Sequence, residues 1–307
     1  IKMLLLAAGL CVQAKTPDIN SAISDSGIHK DAISISVKNT ENRKVLYSLN
    51  SNKPINPAST QKVVTATVSL DTLGKDFNFV TSLYKTTNNE LQLKLSGDPN
   101  LTKGGLSQLM KSAKKKNIIE PKAFYIDDFV MDSVEWGEGW QWDDDLNPLM
   151  PKFSSYNLDK NLLVAVVDPK TKGAPAQIHL TTFYPVTFMN LVTTGNDNNI
   201  ELTRNNHISP DIITVNGEIK SRSYYQIPVN SPKRYFLIKL DEAIRDAKIE
   251  YYGRFTQRKT PENNIYLVDE IKHPIEKSLV EIFKNSNNMS AETLFKVAGG
   301  KFVNNTG

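Results

Sequence analysis

Alternating apolar and polar positions predict a strand hairpin followed by a helix near the start of the chain. Residues 32–50 read "AISISVKNTENRKVLYSLN", with apolar side chains at every second position on both sides of a polar turn. That spacing is typical of paired strands. Beyond Pro57, apolar side chains of residues 63–73 cover more than one face of a helix that starts at Ser59 and stops at Gly74. We therefore expect this helix to be buried.

The remaining pattern predicts one domain that is interrupted by a long insertion. From residue 162 to about residue 269, short apolar stretches separated by turn residues indicate an all-β or α+β unit. The other predicted elements are strands within residues 78–85, 89–102 and 123–126, and helices over residues 105–116, 274–284 and 291–298.

Composition and charge are those of an ordinary globular protein. Hydrophobic residues make up 39% and charged residues 23%, which excludes a disordered or fibrous chain. The net charge of +4 is too mild to indicate a nucleic-acid partner. The basic run "KSAKKKN" at residues 111–117 is interpreted as the solvated end of a helix, so no nucleic-acid partner is expected.

The first residues predict export. A lysine, an apolar run over residues 3–10 and small residues up to Ala14 resemble the tail of a secretory signal peptide. Residues 1–14 are therefore expected to be a partial signal peptide, and the mature protein to be periplasmic or extracellular. No later stretch is long and apolar enough to span a bilayer, so any membrane association would be peripheral.

Ser59 and Lys62 are the candidate nucleophile and base. The Ser-x-x-Lys pattern also occurs at Ser82 and at Ser112, but the first lies in a strand and the second in an exposed lysine-rich helix. Only Ser59 and Lys62 lie at the start of a helix that is also expected to be buried. Their spacing on that helix places the two side chains on one face. An exposed lysine, with a pKa near 10.4, keeps its proton at neutral pH. Burial lowers that pKa, so a buried Lys62 could remove the proton of Ser59. A capping serine beside a solvated lysine is the alternative.

A second short motif, Ser-x-Asn, lies far downstream at Ser286 and Asn288. It also occurs at Ser48 and at Ser155, so the spacing alone does not select it. Ser286 is distinguished by its surroundings, "NSNNMSAETLF", in which a polar turn precedes an amphipathic helix.

These motifs resemble those of penicillin-binding proteins, and most closely the D-alanyl-D-alanine carboxypeptidase/endopeptidase family with a large insertion after the serine motif. "PASTQKVVTATVSLDTLG", "LSGDPNLT", "GWQWDD" and "NSNN" carry the resemblance, which spans nearly all of residues 33–300. It implies that Ser59 is acylated, Lys62 is its base, Ser286 relays a proton to the leaving amine, and Asn288 binds the peptide amide. Peptidoglycan peptides would be the substrates, β-lactams would be covalent inhibitors, and no cofactor would be needed.

The resemblance also implies a fold class and domain boundaries. We expect an α+β fold in which a transpeptidase domain related to β-lactamases is interrupted by a β-rich insertion, with the C-terminal part of the catalytic domain missing. The catalytic domain would comprise residues 15–80 and 270–307. The insertion would comprise residues 81–269, divided into two parts near residue 160.

The aromatic and acidic loop "WGEGWQWDDDLNP" supplies candidate substrate-binding residues. By resemblance, Trp140, Asp143 and Asp144 would hold the cationic side chain of a diamino acid in the stem peptide. A packed tryptophan beside solvated acids is the alternative, and the sequence leaves both open.

One family motif is missing. Lys-Thr-Gly, which binds substrate carboxylate and helps to form the oxyanion hole in the family, does not occur in this sequence. We expect a fragment of a longer enzyme, poorly active alone. The alternatives are a non-catalytic cell-wall-binding homologue that lost the motif, and a β-lactamase. The four histidines are isolated, so no metal site is expected.

Overall fold

The computed structural model describes residues 18–303, which divide into two compact units between Ala58 and Ser59. The predicted signal peptide, residues 1–14, lies outside the described residues. None of the helices within residues 18–303 has both the length and the apolar character needed to cross a membrane.

The first unit contains a helix and the predicted hairpin. Its elements are α1 (Ile19–Asp25), β1 (Ile35–Lys38) and β2 (Val45–Leu49). The two strands pair antiparallel, which confirms the hairpin that the alternation predicted. The Tyr47 hydroxyl donates a hydrogen bond to Asn20 Oδ1 at 3.0 Å, which joins β2 to α1.

The second unit holds the remaining five α-helices and eleven strands of the described residues. In chain order they are α2 (Gln61–Leu73), β3 (Asn78–Thr86), β4 (Leu91–Lys94), α3 (Lys103–Lys115), β5 (Phe124–Asp127), β6 (Leu162–Asp168), β7 (Gln177–Leu180), β8 (Thr187–Thr194), β9 (Glu201–Arg204), β10 (Ile212–Ile219), β11 (Ser223–Pro228), α4 (Pro232–Asp246), β12 (Phe255–Gln257), β13 (Ile265–Pro274), α5 (Ile275–Lys284) and α6 (Asn288–Val303).

A five-stranded mixed sheet lies at the centre of this unit. Its strand order is β12-β5-β4-β3-β13, in which β12, β5 and β4 are parallel and β3 is antiparallel to both of its neighbours. Because side chains alternate along a strand, Leu91 and Leu93 of β4 lie on one face, where they are buried with Leu106 and Leu109 of α3. Helices α3 and α4 pack against each other.

Two three-stranded sheets, β11-β6-β7 and β8-β10-β9, account for the strand-rich region. Helix α4, which the sequence did not predict individually, follows them. It begins where the Ser231 hydroxyl accepts a hydrogen bond from the Arg234 amide, directly before Pro232 at the first helical position. The region is therefore α+β. The predicted insertion of residues 81–269, divided near residue 160, stays a prediction.

Helices α2, α5 and α6 pack around a smaller apolar core. On α2, Lys62, Ala66, Ser69 and Leu73 are buried, a spacing of three and four residues that marks one helical face. Other apolar side chains of α2 are exposed within the described residues: Val63 by 55%, Val64 by 53% and Val68 by 48%. The prediction that α2 is buried all round was wrong, because α5 and α6 cover one side only.

Asn157 links α6 to the loops beneath it. Its Nδ2 donates to Gly97 O at 3.1 Å and to Thr293 Oγ1 at 3.0 Å. Its Oδ1 accepts from the Ser154 amide at 3.0 Å and from Asn161 Nδ2 at 3.0 Å. All four hydrogen bonds of this side chain are buried, so water could not take the place of the Asn157 amide without a cost in free energy.

We expect Asn157→Ala to lower the free energy of unfolding by about 2–4 kcal/mol, because each buried polar partner left unpaired costs about 1–3 kcal/mol. Chemical denaturation followed by circular dichroism measures the change. The control is Asn88→Ala in the exposed turn after β3, for which we expect a change within about 0.5 kcal/mol. Equal effects of the two substitutions would contradict this account of Asn157.

Candidate active site

Ser59 and Lys62 are positioned by the start of α2. Ser59 lies in a short 3₁₀ helix, Ala58–Thr60, that leads directly into α2, and Lys62 is the second residue of α2. The continuous helical turn places the two side chains on the same side, as their spacing predicted. Ser59 is exposed, whereas Lys62 is only 7% exposed.

Ser286 is positioned by the sharp connection between α5 and α6. Its backbone φ is +50°, a left-handed conformation that is uncommon for residues other than glycine. The Asn287 side chain accepts a hydrogen bond from the Ser290 amide at 2.7 Å and so caps the start of α6. Met289 is fully buried, which anchors this end of the helix. The turn is thereby fixed with the Ser286 hydroxyl pointing toward α2.

The structure brings Ser59, Lys62 and Ser286 together. Lys62 Nζ donates hydrogen bonds to Ser286 O at 2.6 Å, to Ser286 Oγ at 3.0 Å and to Ser59 Oγ at 3.3 Å. The two serine hydroxyls are 3.0 Å apart. One amine therefore contacts two hydroxyls that contact each other, an arrangement through which a proton can pass from one serine to the other.

Burial changes the pKa of the Lys62 amine. Desolvation lowers the pKa of Lys62 below the usual lysine value, and the nearby Glu292 carboxylate offsets part of that effect. Burial also raises the pKa of Glu292, against the opposing influence of Lys296 and Lys62. Lys296 in turn forms an ion pair with Asp132. A short series of alternating charges thus runs from Lys62 along α6.

Asn288 lies at the edge of this cluster, at the first position of α6. Its Nδ2 donates to Leu149 O at 2.8 Å. Within residues 18–303 no donor bonds its Oδ1, so that acceptor is available to an N–H group. Leu149 directly follows the aromatic and acidic loop, so this hydrogen bond places the end of the loop beside the serine pair.

Two of the three loop candidates have local roles in this structure. The Trp140 ring packs edge to face against Trp136 and Phe153. Asp144 Oδ2 accepts a hydrogen bond from the Gln141 amide at 3.0 Å, and Asp143 is exposed. Within the described range, none of Trp140, Asp143 and Asp144 bonds to a member of the serine cluster.

Two of the competing short motifs have structural roles instead. Ser112 Oγ donates to Asp269 at 2.7 Å, and Ser155 Oγ donates to Asp128 O at 2.6 Å. Among residues 18–303, no group of three or more His, Cys, Asp or Glu side chains is arranged to hold a metal ion.

Glu292 was not selected as a site residue from the sequence. Its relation to Lys62 depends on the packing of α6 against α2, which no local pattern reveals. The signal that was present is the spacing of Glu292 and Lys296, four residues apart on one helical face.

Comparison with known proteins shows the family of this chain. Residues 15–306 match the model of the D-Ala-D-Ala carboxypeptidase 3 (S13) family. The chain is 26% identical over 274 residues to the D-alanyl-D-alanine carboxypeptidase DacB of Haemophilus influenzae, covering 84% of this chain and 57% of that protein. It is 23% identical over 188 residues to a D-alanyl-D-alanine carboxypeptidase of Actinomadura sp., covering 57% of this chain and 35% of that protein.

Solved structures show the same fold. The crystal structure of penicillin binding protein 4 (dacB) from Haemophilus influenzae matches with a TM-score of 0.77 and 22% identity, covering 94% of this chain and 67% of that chain. A second crystal structure of that protein, complexed with a β-lactam, matches with a TM-score of 0.68 and 22% identity, covering 88% of this chain and 62% of that chain. The predicted α+β class is confirmed. The chain spans little more than half the length of the DacB relative, and over that length it belongs to the D-Ala-D-Ala carboxypeptidase 3 (S13) family.

Proposed function

We propose that this protein is a serine D-Ala-D-Ala carboxypeptidase or endopeptidase that acts on peptidoglycan stem peptides outside the cytoplasm. The observation that carries the proposal is the buried Lys62 amine, which contacts both the Ser59 and the Ser286 hydroxyl. Membership of the S13 family and the names of the matched relatives support the substrate class.

The proposed reaction begins with a proton transfer. The neutral amine of Lys62 takes the proton of Ser59, and Ser59 Oγ forms a bond to the carbonyl carbon of the D-Ala-D-Ala link. The C–N bond then breaks, and the proton passes through the Ser286 hydroxyl to the leaving amine. Water hydrolyses the resulting ester and regenerates Ser59. A β-lactam carbonyl would acylate Ser59 in the same way.

Asn288 and the loop would position the substrate. The available Oδ1 of Asn288 is suited to accept a hydrogen bond from a peptide N–H group of the stem peptide. Trp140, Asp143 and Asp144 would lie along the stem, and the exposed Asp143 carboxylate would attract a cationic side chain at its third position. The competing proposal is a non-catalytic cell-wall-binding homologue of the same family.

We expect Ser59→Ala to abolish covalent labelling by fluorescent penicillin, because the acylated oxygen is removed. The protein is expressed from its complete reading frame, and labelling is measured on a denaturing gel. Ser112→Ala, which alters another Ser-x-x-Lys serine on α3, is the matched control and should label like the parent.

Ser286→Ala should label at a rate lower by about 10²–10⁴, the usual contribution of a positioned proton-transfer group. Equal labelling of Ser59→Ala and the parent would refute the nucleophile assignment. If the folded parent itself takes no label, the cell-wall-binding alternative is favoured.

We expect the acylation rate to rise with pH through the pKa of Lys62, because only the neutral amine accepts the proton. Desolvation lowers that pKa, so the rise should lie at lower pH than an ordinary lysine would give. Replacing Glu292 by Gln removes the carboxylate that raises the pKa of Lys62, so the rise should move to still lower pH.

The measurement is the rate of acylation by a chromogenic β-lactam as a function of pH. Glu262→Gln, at an exposed position, is the control and should leave the profile in place. A shift of the Glu292→Gln profile toward higher pH would contradict the proposed influence of this carboxylate.

We expect Asp143→Asn to lower kcat/KM about two- to fivefold for a stem peptide with a cationic third residue, since an exposed ion pair contributes up to ~1 kcal/mol. A peptide with a neutral third residue should be cleaved as by the parent. Steady-state assays of D-Ala release compare the two substrates. Equal losses on both would show that Asp143 acts on the loop rather than on substrate charge.

A further inference from the structure

The five-stranded sheet has a second, polar face with an open cleft. Alternation along the strands places Ser82 of β3, Lys94 of β4 and Asp127 of β5 opposite the apolar face that packs against α3. The cleft has a volume of about 590 Å³, within the range usual for small-ligand sites. None of Ser59, Lys62, Ser286 and Asn288 lines it.

The cleft lies where three parallel strands end. Its lining includes Lys94 and Ser96 at the end of β4, Asp127 at the end of β5, and Lys259 and Thr260 just after β12. Ligands of open α/β sheets bind outside the carboxyl ends of parallel strands, where the loops diverge. The topology therefore provides a crevice of the kind that binds small ligands.

Two buried hydroxyls of the lining have no hydrogen-bond partner within residues 18–303. They are Ser96 Oγ and Thr260 Oγ1, which follow two of the three parallel strands. Buried polar groups are nearly always paired, so these two hydroxyls are available to the polar atoms of a ligand in the cleft. Both hydroxyls can donate to an oxygen of such a ligand.

The charges of the cleft favour an anion. Glu270 pairs with Lys272 at 2.5 Å, whereas Asp127 accepts from the Thr260 amide at 2.8 Å and keeps its negative charge, so the two lysines of the lining leave a net positive charge. In the described part of the chain, Lys94 and Lys259 form no ion pair. Two unpaired ammonium groups and two unpaired hydroxyls together match a carboxylate.

The rest of the lining is apolar. Phe129, Val80 and Val297 supply walls, and Lys259 Nζ lies 5.4 Å from the centre of the Phe129 ring. A free inorganic anion would leave these walls exposed, whereas a short peptide would cover them with its side chains.

We propose that this cleft is a second binding site, which takes a short peptide through its free carboxylate. Lys94 and Lys259 bind the carboxylate, and Ser96 and Thr260 donate hydrogen bonds to it or to the adjacent peptide carbonyl. Stem peptides belong to this chemical class under the proposed function, so the site would hold one cell-wall peptide while Ser59 acts on another. The binding itself does not depend on the activity of Ser59.

The test is a ligand-observed NMR titration of the full protein carrying Ser59→Ala, with acetyl-trialanine as the free acid and as its C-terminal amide. We expect the acid to bind and the amide to bind about tenfold more weakly, which corresponds to about 1.4 kcal/mol. The double variant Lys94→Gln/Lys259→Gln should weaken binding of the acid by at least about the same factor. Lys111→Gln, an exposed lysine on α3 that forms no ion pair with any residue of 18–303, is the matched control and should bind like the parent.

Thr260→Val provides an independent measurement. Without peptide its melting temperature should equal or exceed that of the parent, because an unpaired buried hydroxyl is removed while the shape is kept. With peptide it should bind more weakly than the parent. No binding by the parent, equal binding of acid and amide, equal binding by the double variant, or equally tight binding of inorganic phosphate would each overturn the proposal.

Every protein in this test carries Ser59→Ala, so a failure of peptide binding at the cleft can be distinguished from a failure of the proposed function. If Ser59 is labelled by penicillin but no peptide binds at the cleft, the second binding site is contradicted and the proposed acylation is supported. If peptide binds at the cleft but Ser59 is not labelled, the second binding site is supported and the proposed acylation is contradicted.

Discussion

The site depends on placing an ionisable amine where water cannot fully reach it. A lysine side chain favours the charged, hydrated state, so burying Lys62 costs free energy that the packing of α2 against α6 must offset. In return, the amine becomes a base at lower pH and holds two distant segments together. Its hydrogen bond to Ser286 O joins residues that are 224 positions apart in the chain. The same contact therefore positions the amine beside the two serines and docks the α5–α6 connection.

The surrounding structure supplies the rigidity that this placement needs. Helix α6 is held at its start by the Asn287 cap, and further along by Asn157 and by the ion pair of Lys296 with Asp132. The hydrogen bond from Asn288 to Leu149 O ties the aromatic and acidic loop to the same helix. Small displacements of α6 would therefore change the serine pair and the position of this loop together.

Local pattern predicted the parts of the fold and site that depend on neighbours in sequence. The spacing of Ser59 and Lys62 fixed their shared face, and alternation correctly located β3, β5 and the hairpin. It did not reveal α4, whose start depends on Ser231 and Pro232 and lies in a strand-rich region. Which apolar face of α2 is covered depends on the packing of other helices against it. The periodic pattern therefore could not predict that Val63 and Val64 are exposed. Ser286 needed the family resemblance, since Ser-x-Asn recurs by chance and contact across hundreds of residues leaves no local signature.

The left-handed backbone at Ser286 restricts what the position can become. A β-branched side chain fits that conformation poorly, so threonine is a poor replacement even though it carries the same hydroxyl. Ser59 lies in a right-handed helical turn and meets no such backbone barrier. The two serine positions therefore differ in mutational tolerance, because the backbone at Ser286 disfavours β-branched replacements that the backbone at Ser59 does not.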